Sequence, residues 1–194
     1  IINDAPSVVE DASLEGIWRA ENDGGEFFGP TRRRWALTKS RNLVSIRLLR
    51  RLGVRRLIDY AERLGFDTSD FAPDLSLALG THAMSPLEVA AAYALLANGG
   101  YRVTPYLIDR VTDATGATVF EAAVPRLCRA CAEDELSMEE ILAGGSSPGR
   151  ETPPRVMDER VNFLIDSILQ DVITRGTGRR ALVLKRGDLA GKTS

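Results

Sequence analysis

The sequence predicts an α+β fold in which helices pack on an antiparallel sheet. Apolar residues recur at helical spacing in successive segments between residues 42 and 97, and again after Asp158. Between these blocks, near residue 106, the period shortens to two and a hairpin turn follows. After the last helix come two more short strand-like runs, so strands and helices segregate along the chain, as an α+β class requires.

The first 30 or so residues read as irregular. Asn22-Asp23-Gly24-Gly25 and Gly29-Pro30 are turn signals, and Trp18, Phe27 and Phe28 anchor the segment on a core. Thr31 then caps a helix through Arg34, Trp35 and Leu37. After a break near Ser40, a second helix carries Leu43, Val44, Ile46, Leu48, Leu49 and Leu52 and stops at Gly53. A third runs from Val54 through Leu57, Ile58, Ala61 and Leu64 to Gly65.

The clearest helix start is Ser85-Pro86-Leu87-Glu88. Serine caps, proline suits the first turn, and Glu88 completes a capping box. The alanine content of this helix, which ends at Asn98-Gly99-Gly100, predicts close packing and burial. Residues 106–111 and 117–120 then read as strands around the turn Asp113-Ala114-Thr115-Gly116.

Residues 124–155 carry little pattern and read as a loop or small insertion. A last helix starts near Asp158 with Val161, Leu164, Ile165, Ile168, Leu169 and Val172 facing inward, and Gly176-Thr177-Gly178 ends it. Residues 181–184 and 189–193 read as strands.

Composition excludes several function classes. The chain has 194 residues, 44% apolar and 27% charged, enough for a sizeable core. Its net charge of -2 argues against nucleic acid as a partner. All but three of the 25 basic residues are arginine, the lysines being Lys39, Lys185 and Lys192. No apolar run approaches the ~20 residues that span a bilayer, and no signal peptide opens the chain. Both ends read as cuts in a longer protein.

His82, the single histidine, and the pair Cys128 and Cys131 do not make up a four-ligand zinc site, so no metal or cofactor is expected. The cysteines read as a local disulfide, a half-site completed elsewhere, or two free thiols. His82 sits in a loop before a helix cap and is a poor candidate for a catalytic base.

Two polar constellations remain. Ser40-Arg41-Asn42 lies at a break between apolar helices and by spacing alone reads as a helix N-cap. Lys192-Thr193-Ser194 follows a glycine on a short strand and by itself has little specificity. In this order the two resemble the SxN and KTG motifs of penicillin-recognising serine acyltransferases, whose set begins with SxxK.

Longer stretches strengthen the resemblance. Gly29-Pro30-Thr31 with Ala36-Leu37-Thr38-Lys39 resembles the approach to SxN in class A penicillin-binding proteins. So do Leu75-Ser76-Leu77-Ala78-Leu79-Gly80-Thr81 and the segment from Ser85 through Tyr93 to Tyr101. Gly176-Thr177-Gly178-Arg179 and Asp188-Leu189-Ala190-Gly191 resemble the entry to the KTG strand. The CxxC excursion and residues 155–160 resemble the 1A type. The likeness covers nearly the whole chain.

Two departures stand out. Ala36, Leu182 and Leu189 occupy the positions three before the lysines, so SxxK is absent and is expected upstream of Ile1. Ser194 stands where the motif has glycine, and its side chain would crowd the edge that receives substrate.

The resemblance implies the penicillin-binding protein/serine β-lactamase-like fold, residues 1–194 being part of a transpeptidase domain. It implies a serine that attacks the bond between two D-alanines of a peptidoglycan stem peptide, forms an acyl-enzyme, and passes it to a neighbouring amine. β-Lactams would acylate the same serine. The missing lysine would serve as base, its pKa lowered by nearby positive charge such as Lys192.

By the same resemblance, Ser40 would relay the proton to the leaving amine and Asn42 would bind the substrate amide. Lys192 and Thr193 would hold the substrate carboxylate, with Ser194 beside them. The resemblance also implies a parent protein on the periplasmic side of the bacterial inner membrane, held by an anchor outside this chain, and partners in cell-wall elongation. A β-lactamase, a penicillin sensor, or a non-catalytic interaction module are the other readings. A sheet without its remaining strands would leave an exposed edge, predicting poor stability in isolation.

Overall fold

The computed structural model describes residues 1–10, 17–123 and 153–193. The class is α+β, but its antiparallel content is three separate two-stranded pairs. Two of these lie in the stretch expected to be irregular. β1 (Ile2–Asp4) pairs with β4 (Gly29–Thr31), and β2 (Ser7–Glu10) with β3 (Ile17–Ala20). Strands of three or four residues are too short to show a period, and β4 contains the Gly-Pro pair that reads locally as a turn. Pro30 is tolerated because β4 has a single partner and Pro lacks only an unneeded ladder donor. In β1 the alternation buries Ile2 and Asp4 and exposes Asn3.

The helices form the body. α1 (Arg33–Thr38) starts at Arg32 without a side-chain cap. Thr31, expected to cap it, is the last residue of β4 and donates its hydroxyl to the Gly29 carbonyl at 2.9 Å. α2 (Asn42–Leu52) is the central element. Leu43, Ile46 and Leu49 pack with Ala20 and Leu75, while Val44 packs with Ile2 and Ala36. Fully burying such a side chain stabilises the fold by about 1.5–3 kcal/mol. α3 (Val54–Leu64) ends at Gly65 in the left-handed conformation, as its sequence predicts. A 3₁₀ helix, Leu75–Leu79, lies along α2 and is capped by Asp74, which accepts from the Ser76 N–H at 2.7 Å.

α4 (Pro86–Ala97) has the expected capping box. Ser85 Oγ accepts from the Glu88 N–H at 3.2 Å, and Glu88 Oε2 accepts from the Ser85 N–H at 2.7 Å. The predicted burial of α4 is not observed: Leu95 is buried, but Leu87, Val89 and Tyr93 are exposed. Among the described residues its main helical neighbour is α5 (Glu159–Thr174), so one stripe is covered. Propensity and capping make the helix; partners decide what it buries.

The hairpin after α4 is shorter than predicted. β5 (Arg110–Thr112) pairs with β6 (Thr118–Glu121) across a bulge at Val111/Thr112. Tyr106, Leu107 and Ile108, read as strand, are exposed and outside it. Asp113 organises the turn by accepting from the N–H groups of Thr115 and Ala117 at 2.8 and 3.0 Å. The predicted excursion, with Cys128 and Cys131, lies outside the described residues except for 153–155. There Arg155 bridges to Tyr101.

α5 begins at Asp158, whose carboxylate accepts from the Arg160 N–H at 2.9 Å. Leu169, Val172 and Ile173 are buried. Val161 and Leu164, expected inward, are exposed. The first half of α5 instead meets the end of α4 through buried Asn162, which donates to the Leu96 carbonyl at 2.9 Å. The strand predicted at 181–184 is a 3₁₀ helix, Arg179–Leu184, closed by Lys185 in the left-handed region. Residues 189–193 make no ladder among the described residues; the Gly191 N–H bonds the Leu169 carbonyl at 3.2 Å. With no described strand beside them, the alternation in these segments has no sheet to join.

Candidate active site

Ser40 sits in the corner between α1 and α2, with φ of 54°. The Ser40 N–H bonds the Leu37 carbonyl at 3.2 Å and the Arg41 N–H bonds Ala36 at 2.9 Å. This is the Schellman ending of a helix, with serine where glycine is usual. A side chain in this region costs about 1–3 kcal/mol, a strain typical of functional positions. The N-cap expected of Ser40 is not its role. Arg41 is the N-cap of α2 and makes no side-chain cap bond.

Lys192 reaches this corner from the far end of the sequence. Its Nζ donates to Ser40 Oγ at 2.7 Å and also to the Thr193 carbonyl. Ser40 Oγ donates to the same carbonyl at 3.2 Å. Burial pushes the Lys192 ammonium below the usual lysine range, and no carboxylate pairs with it among the described residues. Its charge is therefore available to an anion entering from the cleft.

Asn42 opens α2 and donates through Nδ2 to the Glu21 carbonyl at 2.9 Å. Ser40, Asn42, Lys192 and Thr193 line one cleft of about 1200 Å³, with Tyr93 and Thr177 on its walls. The structure thus brings together all but one of the predicted site residues; Ser194 lies outside the described residues. His82 stacks on Phe71, ring centroids 4.4 Å apart, and is not in the cleft lining.

A helix seam holds the two halves of the cleft. Arg34 of α1 donates through Nε to Asp171 at 2.6 Å and through Nη2 to Ser167 Oγ at 2.8 Å. Arg175 also pairs with Asp171, and both arginines hold its carboxyl below the usual range. Lys39 Nζ donates to the Arg175 carbonyl at 2.7 Å, a cation at the end of α5 where the helix dipole favours it. Gly176 permits the closest approach: a Cβ there would lie 2.3 Å from the Thr38 carbonyl oxygen. This docking carries Thr177 to Thr193, whose hydroxyls bond to each other.

Thr177 is not among the site residues the motifs mark: its flanking glycines read as a helix stop, and the stretch as part of the entry to the KTG strand. Two glycines around one threonine signal a backbone packed close on both sides. Asn22, which reads as a turn residue, is buried, and its Oδ1 accepts from the Leu43 N–H at 3.3 Å.

A half-buried lysine is thus bonded to a strained serine beside an asparagine in one open cleft, joining the two motifs at opposite ends of the chain. The chain matches the penicillin binding protein transpeptidase domain over residues 18–193, and it belongs to that family. It is 42% identical over 216 residues to penicillin-binding protein 1A of Pseudomonas aeruginosa, covering all of this chain and 26% of that protein. To penicillin-binding protein 1A of Neisseria lactamica it is 38% identical over 194 residues, covering all of this chain and 22% of that protein.

Among solved structures, penicillin-binding protein 1A from Haemophilus influenzae superposes with a TM-score of 0.82 at 30% identity. That match covers 99% of this chain and 30% of the other. The D,D-transpeptidase domain of a peptidoglycan glycosyltransferase from Eggerthella lenta shares the fold, with a TM-score of 0.67 at 22% identity, over 98% of this chain and 46% of the other. The chain thus spans about a quarter of the length of the curated relatives it matches.

Proposed function

We propose that this chain supplies the SxN and KTG-like side of a D,D-transpeptidase active site that crosslinks peptidoglycan stem peptides through a serine acyl-enzyme. One observation carries the reading: Lys192 Nζ lies 2.7 Å from Ser40 Oγ, joining two motifs 152 positions apart in the sequence. In this reading Ser40 is a relay hydroxyl. It accepts from Lys192 while donating to a carbonyl, so it can pass a proton in either direction as the leaving amine departs. Asn42 keeps its bond to the Glu21 carbonyl through one amide hydrogen and offers the other, with its Oδ1, to the substrate backbone.

Lys192 and Thr193 bind the terminal carboxylate, charge and hydroxyl converging on one anion. Ser194, outside the described residues, would follow them in the motif.

The serine that is acylated belongs to a segment outside this chain, because no lysine here has serine three positions before it. Residues 1–194 are then part of a transpeptidase domain with an insertion at about 124–155, and the chain alone is inactive. The parent protein is placed on the periplasmic side of the inner membrane by an anchor elsewhere in its sequence, where it meets cell-wall elongation partners and β-lactams. Support comes from the family match and from the names of the relatives. No helix among the described residues is long and apolar enough to cross a membrane.

Intact-mass measurement after exposure to benzylpenicillin tests the reading. The expected result is an adduct on a chain extended through its upstream SxxK and downstream sequence, and none on residues 1–194. In the extended protein, Lys192→Gln should lower the acylation rate by roughly 10²-fold or more. An extended protein that takes no adduct overturns the proposal.

A further inference from the structure

The SxN corner is held from behind by groups that the chemistry above does not use. Asp4, on β1, is fully buried. Asn22 Nδ2 donates to Asp4 Oδ1 at 2.7 Å and to the Glu26 carbonyl at 3.0 Å, and the Phe28 N–H donates to Asp4 Oδ2 at 3.3 Å. Arg41, the middle residue of the motif, brings Nε to 3.8 Å from Asp4 Oδ2. That Nε is buried without a hydrogen-bond partner among the described residues. The guanidinium carbon lies 3.9 Å from the Phe28 ring centroid and 5.6 Å from that of Trp35.

Asn22 does a second thing. Its Oδ1 accepts from Leu43, the second N–H of α2, a donor that the helix cannot satisfy itself. α2 has no local side-chain cap, so a residue 21 positions away supplies one. In the opposite direction Asn42 donates to the carbonyl of Glu21. The Glu21-Asn22 dipeptide thus grips the start of α2 by one bond each way, and Asp4 fixes Asn22.

A buried ion pair is seldom more stabilising than apolar residues of the same shape, so stability alone is a weak reason to keep one here. What this network fixes is direction. The first turn of α2 determines where Asn42 points, and the Arg41 backbone that enters it also closes the strained turn of Ser40.

We infer that Asp4 and Asn22 are positioning residues for the SxN motif, acting through Arg41 and the Leu43 N–H. The inference rests on the acyl-transfer reading proposed above. The experiment uses the intact parent protein and three variants: Asp4→Asn, Asn22→Asp, and the reciprocal pair carrying both. For each, benzylpenicillin acylation is resolved into a non-covalent dissociation constant and an acylation rate constant, and the thermal midpoint is recorded.

Each single change should lower the acylation rate constant by roughly 10- to 100-fold and leave the dissociation constant nearly unchanged. The reciprocal pair should recover part of the rate, above either single variant. The amide now at position 4 would donate to the carboxylate now at position 22. The second oxygen of that carboxylate would accept from the Leu43 N–H, while the bond to the Glu26 carbonyl is lost, which keeps the recovery partial. Singles that acylate at the parent rate overturn the assignment. So does a reciprocal pair that recovers the midpoint but not the rate, a comparison that decides even where a single variant fails to fold. A parent protein that is not acylated at all sinks the acyl-transfer reading, and the positioning assignment with it.

Discussion

Replacing Gly176 by alanine should damage this protein far more than its chemistry suggests. The added Cβ would stand 2.3 Å from the Thr38 carbonyl oxygen, 2.6 Å from Val172 Cα and 2.8 Å from the Val172 carbonyl oxygen. Non-bonded heavy atoms at ease keep about 3.5–4.0 Å apart, so the α1–α5 seam must open by about 1 Å at Thr38 and the end of α5 must shift away from Val172. All three obstacles are backbone atoms, and no rotamer change relieves them. Overpacking a core typically costs about 1–3 kcal/mol, and here the upper value is expected. With a urea m-value of ~3 kcal/mol/M, the unfolding midpoint should fall by about 1 M. Gly187→Ala is the control, because a Cβ there meets nothing within 4 Å. It should be neutral or gain up to about 1 kcal/mol by restricting the unfolded chain. Equal midpoints for the two variants would refute the close approach at the seam, and with it the account of how Thr177 reaches Thr193.

Other outcomes follow from the same geometry. Ser40→Ala and Ser40→Gly both remove the hydroxyl that bonds Lys192, so both should abolish acylation of the intact protein; the glycine variant should be about 1 kcal/mol the more stable, since alanine keeps a Cβ at φ of 54°. Asp171→Asn should flatten stability on the acid side: the carboxyl of Asp171 is held below the usual range, so its contribution is full above its unfolded pKa of ~3.9 and is lost as pH falls through the folded value. Urea titrations at several pH values from neutral into the acid range would show the parent losing stability through that window more steeply than the variant. Ser85→Ala breaks the capping box and should cost about 1 kcal/mol in thermal unfolding without altering the acylation rate.

The helices were legible because their signals are local. Gly53 and Gly65 end α2 and α3, Ser85 with Glu88 starts α4, and Asp158 starts α5, all where the sequence places them. The paired strands were not, since β1 and β4 owe their existence to partners more than 20 residues away rather than to any pattern of their own. Exposure was misjudged for the same reason: Tyr93 and Leu164 look like core residues until their neighbours are known. In the cleft, Ser40, Asn42 and Lys192 were found by motif. Asp4 and Asn22 act only through contacts that the fold creates, and nothing in their own spacing marks them; Thr177 is marked only by the glycines on either side of it.

The contacts that assemble the cleft join residues far apart in sequence: 152 positions for Lys192 and Ser40, 137 for Asp171 and Arg34. Closing loops of that length is a late event in folding, because their entropy must be spent before the contacts return anything. The α2–α3 layer can collapse locally, whereas the seam and the lysine bridge must wait for α5 to dock. A nascent or partly unfolded chain would therefore keep most of its helices while having no cleft. Ligand protection would report the last step of folding, and helical signal an earlier one.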